Sequence, residues 1–369
     1  MKKNLRNILA LALGLMTTVS FAQDWNVDSR TRIDMSGDAD YQQGAQRATL
    51  GATWGGSDWG IHLSTDVHYT INDADEAALP ALSVYEVYAS TNLFGFADMT
   101  IGRQALEYGS GTFLAKNDWA DGTNSTRNCV DGMTFAIDND FVGLDLGLAQ
   151  RDNGDGSDMI DAMWLNASKS SGDWSANLFY ADYSVNDMEN WGGVGVEANA
   201  MGLDFAYSAM GGALDLNVSY NTSSVGATGS EATEYDMMDV SGTYTVNDDM
   251  ALTAGRATYG ENGFSDVVGL GNSGNGASSW TTHGNIGHLG ADQENMYIGG
   301  TYNMGAFSLA ATMHTVTETD NDDYERKATE VSVGYSLGDN ASLSYRLVSD
   351  NNGTDTDTNY NWLTLTVTP

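Results

Sequence analysis

Apolar and polar residues alternate along most of the chain with a period of two. Between 59 and 71, Trp59, Ile61, Leu63, Thr65, Val67, Tyr69 and Ile71 share one parity, and His62, Ser64, Asp66 and His68 share the other. A strand with one apolar and one wet face reads this way. The same signature recurs at Trp25/Val27/Ile33/Met35, Val142/Leu144/Leu146/Leu148, Trp174/Ala176/Leu178/Tyr180, Leu214/Leu216/Val218/Tyr220 and Val331/Val333/Tyr335/Leu337, so strands are predicted throughout.

The connections between these strands alternate between tight and long. Tight turns of the Gly/Asn/Asp kind are expected at Gly55-Gly56-Ser57, Gly95, Asp138-Asn139-Asp140, Ser171-Gly172-Asp173, Gly211-Gly212, Asn247-Asp248-Asp249, Gly305 and Gly338-Asp339-Asn340. Polar loops separate them, the longest near 106–128 and 260–294. With both termini on the tight-turn side, the pattern predicts about 18 strands, an even number as bacterial barrels require, and 16 also fits. A strand of about ten residues, rising ~3.3 Å each and tilted ~40°, spans roughly 25 Å, the height of an outer-membrane apolar band. Aromatics such as Trp54, Trp59, Phe94, Phe96, Phe141, Trp174 and Phe307 flank the tight turns, where an interfacial girdle belongs. The predicted fold is all-β: a transmembrane antiparallel up-and-down barrel with short periplasmic turns and long external loops. A soluble β-sandwich shares the alternation and the Gly-rich turns, but it must bring its apolar faces together in a core. A closed cylinder in lipid satisfies every strand edge and every apolar face at once.

Composition agrees. Gly is abundant at 43, Pro nearly absent at 2, and only 18% of residues are charged. No run of about 18 apolar residues follows the N-terminal segment, which excludes helical spans. At the N-terminus, Lys2, Lys3 and Arg6 precede an apolar stretch from Ile8 to Val19, and Ser20-Phe21-Ala22 supplies small residues before Gln23. Residues 1–22 therefore read as a secretory signal peptide, and 23–369 as a single domain. No cysteine stands at the cleavage point, so no lipid anchor is expected. The lone Cys129 cannot form an internal disulfide. Removing residues 1–22 leaves 12 basic against 50 acidic residues, a net charge of −38. That excludes nucleic acid as a partner and suits solvated loops and a water-filled interior. Outer-membrane lipid and lipopolysaccharide are the expected surroundings, with small hydrophilic solutes or oligosaccharides inside; oligomeric state is not legible.

If the apolar parity faces lipid, the other parity lines the lumen. It carries Arg30, Arg32, Arg47, Arg151, Arg326 and Arg346, with acids that include Asp28, Asp34, Asp66, Glu86, Asp145 and Glu330. Closure sets the last strands beside the first, so Arg326, Arg346, Arg30, Arg32 and Arg47 should gather on one arc. Such an arc can orient carboxylated, sulfated or phosphorylated solutes. Internal ion pairing with neighbouring acids is the other reading of the same residues.

Other chemistry is weaker. Asp152, Asp155 and Asp158 lie in an Asp/Asn/Gly-rich loop whose hard oxygens suit calcium, although Arg151 stands where an EF-hand places its first ligand. A solvated turn explains that loop equally well, and no other cofactor is expected. A hydrolase would need a Ser/His or Asp/His relay, yet His62 and His68 are six residues apart on one strand, roughly 20 Å. His283 and His288, with Asp292 or Glu294, lie in the long 260–294 loop. No enzyme activity is expected. A structural or adhesive barrel with a closed lumen and ligand-binding loops is the rival to a channel.

The segment 98–132, DMTIGRQALEYGSGTFLAKNDWADGTNSTRNCVDG, resembles the alginate-export family of outer-membrane porins in its Gly102-Arg103-Gln104 strand end, Tyr108-Gly109 turn, Asp118-Trp119 pair and Asp131-Gly132. The resemblance implies an 18-stranded barrel and passive passage of a polyuronate or related solute through an arginine-lined pore. Where that family has a basic position after the Tyr-Gly turn, this chain has Thr112 or Phe113, and it ends in Val367-Thr368-Pro369 rather than an aromatic. With so few basic residues, a generic uptake porin on that scaffold fits better than alginate itself. Arg103 shares the parity of Met99 and Ile101, so a bulge near Gly102 would be needed to turn it inward. Leu252-Thr253-Ala254-Gly255-Arg256 echoes Met99-Thr100-Ile101-Gly102-Arg103 with the same parity. The stretch 106–128 is a candidate constriction loop, folded into the lumen and held by Arg103 and Asp118; an ordinary external loop is the other reading of the same stretch.

Overall fold

The computed structural model describes residues 23–36, 44–71, 81–116, 129–137, 139, 141–152, 159–185, 195–264 and 286–368. The signal-peptide segment and the positions Asp118, Trp119, Asp155, Asp158 and His283 lie outside the described residues, as do the side chains of Arg151 and Asp152.

Eighteen strands form one antiparallel sheet: β1 (Gln23–Asp34), β2 (Gly44–Gly55), β3 (Trp59–Ile71), β4 (Ala81–Leu93), β5 (Ala97–Gln104), β6 (Val130–Ile137), β7 (Gly143–Asp152), β8 (Met159–Ser171), β9 (Trp174–Val185), β10 (Val196–Ala209), β11 (Leu214–Ala227), β12 (Thr233–Asn247), β13 (Met250–Tyr259), β14 (Gln293–Met304), β15 (Phe307–Glu318), β16 (Asn321–Gly338), β17 (Ala341–Asp350) and β18 (Thr358–Val367). Each strand pairs with the next, and β1 pairs with β18 from Ser29↔Val367 to Asp34↔Trp362. The sheet is therefore a closed barrel with no free edge. Every predicted tight turn joins an even-numbered strand to the following odd one, so all eight lie at one end and the long loops at the other. Asp138 and Asp140 of the third turn are outside the described residues.

Because the side-chain period is two, residues paired across strands share a face. The outer face carries Trp25, Leu50, Val67, Val87, Ile101, Leu148, Met163, Leu203, Val240, Ile298, Met313 and Leu365, all substantially exposed. So continuous an apolar exterior is compatible only with a lipid solvent. Irregularities are few: register shifts between Ser64 and Thr65 on the β3–β4 pair, and near the ends of β12, β15 and β16. The first sets Tyr85 and Glu86 against the interior.

Buried apolar residues lie inside the barrel, in three clusters toward the loop end. The largest joins Phe113, Leu114 and Val130 to Ala162, Trp164, Phe179, Ala181 and Ala200. The second holds Met237, Ala257, Tyr259, Leu289 and Val316, and the third Ala328, Val348 and Trp362 with Ile286 packed against them. Loop segments thus fold back onto an interior wall that is apolar near its loop end.

Candidate functional site in the barrel lumen

Five arginines lie on four of five successive strands of the closed ring: Arg326 on β16, Arg346 on β17, Arg30 and Arg32 on β1 and Arg47 on β2, with β18 between. Their cross-strand partners place them all inside: Arg326↔Val316, Arg346↔Ser332 and Trp362, Arg32↔Thr364, Arg30↔Arg47. Burial of these charges is offset locally, as it must be. Arg326 makes a bidentate pair with Asp350 at 2.6–3.2 Å, and that carboxylate is fully buried. Arg346 meets Glu330 at 2.8 Å and Arg47 meets Asp28 at 3.7 Å. Between them, the indole of Trp362 lies under Arg32 (Cζ 4.5 Å from the ring centroid) and Arg346 (5.6 Å), and Tyr360 stacks beside it. Both readings of these arginines therefore hold in geometry: they form an arc, and three of them are ion-paired.

The rest of the wall has the opposite sign. Inward positions carry Asp66 on β3, Glu86 on β4, Asp145 on β7, Asp204 on β10 and Asp239 on β12, while no described lysine or arginine side chain on β3–β15 points inward. Asp66 accepts from Thr49 at 2.7 Å, and Asp239 accepts from Tyr297 at 2.9 Å. The lumen is thus uneven across its width: the inward arginines gather on β16–β2, interleaved there with Asp28, Asp34, Glu330 and Asp350, whereas β7–β12 carries inward acids with no described inward cation.

The loop after β5 folds onto the inner wall over its described residues, 105–116, while the rest of the candidate constriction stretch 106–128 lies outside the described residues. Its turn is closed by Gly111 N–H donating to Tyr108 O (3.0 Å) and Tyr108 N–H to Leu114 O (3.2 Å). Gly109 adopts φ +56°, and a Cβ there would stand 2.0 Å from Asp204 Oδ2 and 2.7 Å from Asn177 Nδ2; only glycine allows the turn to press so closely on β9 and β10. Ser110 N–H donates to Asp204 Oδ2 at 2.9 Å, and its hydroxyl lies 3.2 Å from that of Ser219 on β11. Trp164 Nε1–H donates to Tyr108 Oη at 3.4 Å, and Tyr108 and Phe113 both stack on Phe179. Burial pushes the Tyr108 phenol up to about 12.

A second arm, from the long loop after β13, was not foreseen. Phe264 meets Phe113 at 5.4 Å and His288 at 4.7 Å, and Ile286 reaches the Trp362 cluster. The two arms narrow the passage from opposite walls and leave a cavity of about 650 Å³ bordered by Ser110, Asn177, Asp204, Asp239, His288 and Tyr297.

Two expectations are corrected. No bulge turns Arg103 inward: the β4–β5 and β5–β6 registers run unbroken through Val87↔Arg103↔Asp131. Gly102 has φ +132° but shifts no partner. Arg103 stays on the outer face, bound bidentately to Asp131 at 2.6–2.7 Å, so it does not hold the constriction loop. Of the motif residues, Gln104 turns inward and donates to the Gly132 carbonyl at 3.3 Å. His62 meets Thr53 (2.7 Å) and Glu86 (3.7 Å), whereas His68 meets Ser83 (3.0 Å), so the two share no partner among these contacts. Among the described residues, no group of three or more His, Cys, Asp or Glu is placed to hold a metal ion.

No protein-family model and no curated protein matches the chain. Solved structures match its fold along nearly its whole length. OccK1 (OpdK) of Pseudomonas aeruginosa superposes with a TM-score of 0.70 at 12% identity, covering 95% of this chain and 100% of that one. OccK5 (OpdH) of the same organism gives 0.67 at 11% identity, covering 94% and 97%. OpdK was also solved with vanillate, at the same TM-score of 0.70 and 12% identity, covering 95% and 100%. The chain therefore has the barrel architecture of these proteins.

Proposed function

We propose that this chain is an outer-membrane channel through which small hydrophilic solutes diffuse passively, with carboxylated solutes preferred. The observation that carries the reading is the uneven lumen: an arginine arc, interleaved with acids, faces an acidic wall across a passage narrowed by the loop at Tyr108–Ala115. A guanidinium in a confined, partly desolvated channel orients a carboxylate far better than it does in bulk water. Acids opposite keep such a solute from binding too tightly to leave, as conduction requires. The folds of OccK1 and OccK5 support the reading, and so does the capture of vanillate, a small carboxylate, by OpdK. The lipid-facing exterior and the N-terminal signal pattern support export to the outer membrane with loss of residues 1–22. Uronates and short anionic oligosaccharides, the solutes implied by the resemblance of 98–132 to alginate-export porins, fit within this class.

The contact between Phe113 and Phe264 favours a second reading, a structural or adhesive barrel whose lumen is closed. Purified mature protein in planar bilayers and liposomes separates the two. Stepwise conductance, with faster swelling in glucuronate than in a neutral sugar of equal size, is expected of the channel. Absence of any conductance would leave the closed barrel standing instead.

A further inference from the structure

The sequence motif that the lumen does not use lies on the opposite face of the wall. Arg103 and its echo Arg256 both point outward, each at the loop-side end of the apolar band, and each is paired with an acid of the following strand, Asp131 and Glu294. Their side chains remain 40% and 59% exposed. A guanidinium on a lipid-facing wall is costly at mid-bilayer and nearly without cost near the interface, so the two arginines belong at headgroup level. Below Arg103, a crevice of about 1010 Å³ opens on the outer wall over Val87, Ile101, Met133, Leu148 and Met163. Its wall is pinched where Gly102 and Gly132 bring neighbouring backbones close: a Cβ would lie 2.2 Å from Val87 O and 2.5 Å from Leu148 O.

An apolar crevice ending at an exposed guanidinium, within the outer leaflet, matches an acyl chain with a phosphate at its head. The geometry points to a docking site for a phosphorylated glycolipid of the lipid A type, its acyl chain along the crevice and its phosphate on Arg103; Arg256, eight strands away on nearly the opposite side of the ring, could serve only a separate lipid. Arg103 spends Nε and one Nη2 hydrogen on Asp131 and one Nη1 hydrogen on the Val84 carbonyl at 3.4 Å, which leaves two of its five donors for phosphate oxygens. Asp161 and Asp182 border the same crevice and would repel a bare phosphate, so a divalent counterion must accompany the lipid. A second copy of this chain fits less well: besides Arg103, the outward cations described are Arg256 and Lys327, each already paired with an acid, and Lys169 at the turn end, and none offers a basic patch to Asp161 and Asp182.

The inference rests on the outer-membrane placement proposed above but not on conduction through the lumen. Its test is native mass spectrometry of the detergent-solubilised mature chain with bisphosphorylated lipid A, dephosphorylated lipid A and phosphatidylcholine, in magnesium and in chelator. Wild type should retain bisphosphorylated lipid A in magnesium and lose it with chelator. Arg103→Gln with Arg256→Gln should weaken retention about tenfold, the loss that ~1.4 kcal/mol produces, while Lys169→Gln should not. Heat-modified gel mobility establishes that each variant is a folded barrel. Equal retention of dephosphorylated lipid A, equal loss in Lys169→Gln, or unchanged retention in the double variant would overturn the site. Folded barrels that also keep wild-type conductance but lose lipid A would support it whatever solute the lumen carries, and a barrel that retains lipid A without conducting would fail only the channel reading.

Discussion

Arg32 on the first strand stacks over Trp362 on the last, its guanidinium carbon 4.5 Å from the indole centroid. The contact spans the seam where the sheet closes on itself, and Arg346 approaches the same ring at 5.6 Å. One side chain therefore supports both barrel closure and the arginine arc. Trp362 is 3% exposed and packs with Ala328 and Val348, so Trp362→Ala should destabilise the barrel by ~3–5 kcal/mol. Trp362→Phe keeps a ring beneath the guanidinium groups and should cost far less. Urea unfolding in lipid vesicles, followed by tryptophan fluorescence or gel mobility, measures both. An Ala variant as stable as wild type would show that the seam does not depend on this ring.

The uneven lumen has a direct electrical consequence. Removing positive charge from the arc with Arg30→Gln, Arg32→Gln and Arg346→Gln should shift the reversal potential in a KCl gradient toward cation selectivity. Neutralising the far wall with Asp204→Asn and Asp239→Asn should shift it the other way. Shifts of the same sign in both variants, or none in either, would mean that ions do not sample the two walls.

How much of this was legible beforehand depended on whether a residue answered to a local rule. The eight tight turns and the outward faces of strands such as Trp59–Ile71 follow from period-two alternation and turn chemistry alone, and those two rules set the strand number and the closure. The arc followed because closure is topological: once β18 must pair with β1, the inward parities of Arg346 and Arg32 place them close together. The infolded arms were less legible. Leu178-Phe179-Tyr180-Ala181 is apolar on both parities, and Ala162, Trp164 and Ala200 add apolar residues on the wet face. That break in alternation signals that something covers the inner wall, but which loop does so is decided by long-range packing. The Gly-Arg motif misled for a related reason: its parity already placed Arg103 outside, and resemblance to a porin motif argued for the lumen.

Asp204 latches the constriction loop by accepting Ser110 N–H, with Gly109 pressed against it. A hydrogen bond to a charged acceptor contributes about 1.5–3 kcal/mol, enough to decide whether a short loop stays docked. Asp204→Ala should raise mean conductance and increase current noise as the loop leaves the wall. Gly109→Val, which cannot adopt the required φ and would collide with Asp204 and Asn177, should do the same with the acid retained. Single-channel records of the two variants test this; quiet, unchanged currents from both would remove the loop from the conduction path.

The same loop should respond to alkali through Tyr108. Burial lifts its phenol from the usual 10 to about 12 despite the opposing hydrogen bond from Trp164, so the docked loop holds the proton more tightly than the undocked one. Below pH 10 both states are protonated and docking is fully favoured. Between about 10 and about 12 the undocked phenol ionises first, the undocked loop binds fewer protons, and docking weakens as pH rises. Conductance of wild type should therefore climb across that interval. Tyr108→Phe has no proton to lose and should give a flatter profile. If the Phe variant climbs just as steeply, the alkaline opening belongs to another group, Cys129 foremost, whose thiol burial also pushes up to about 12.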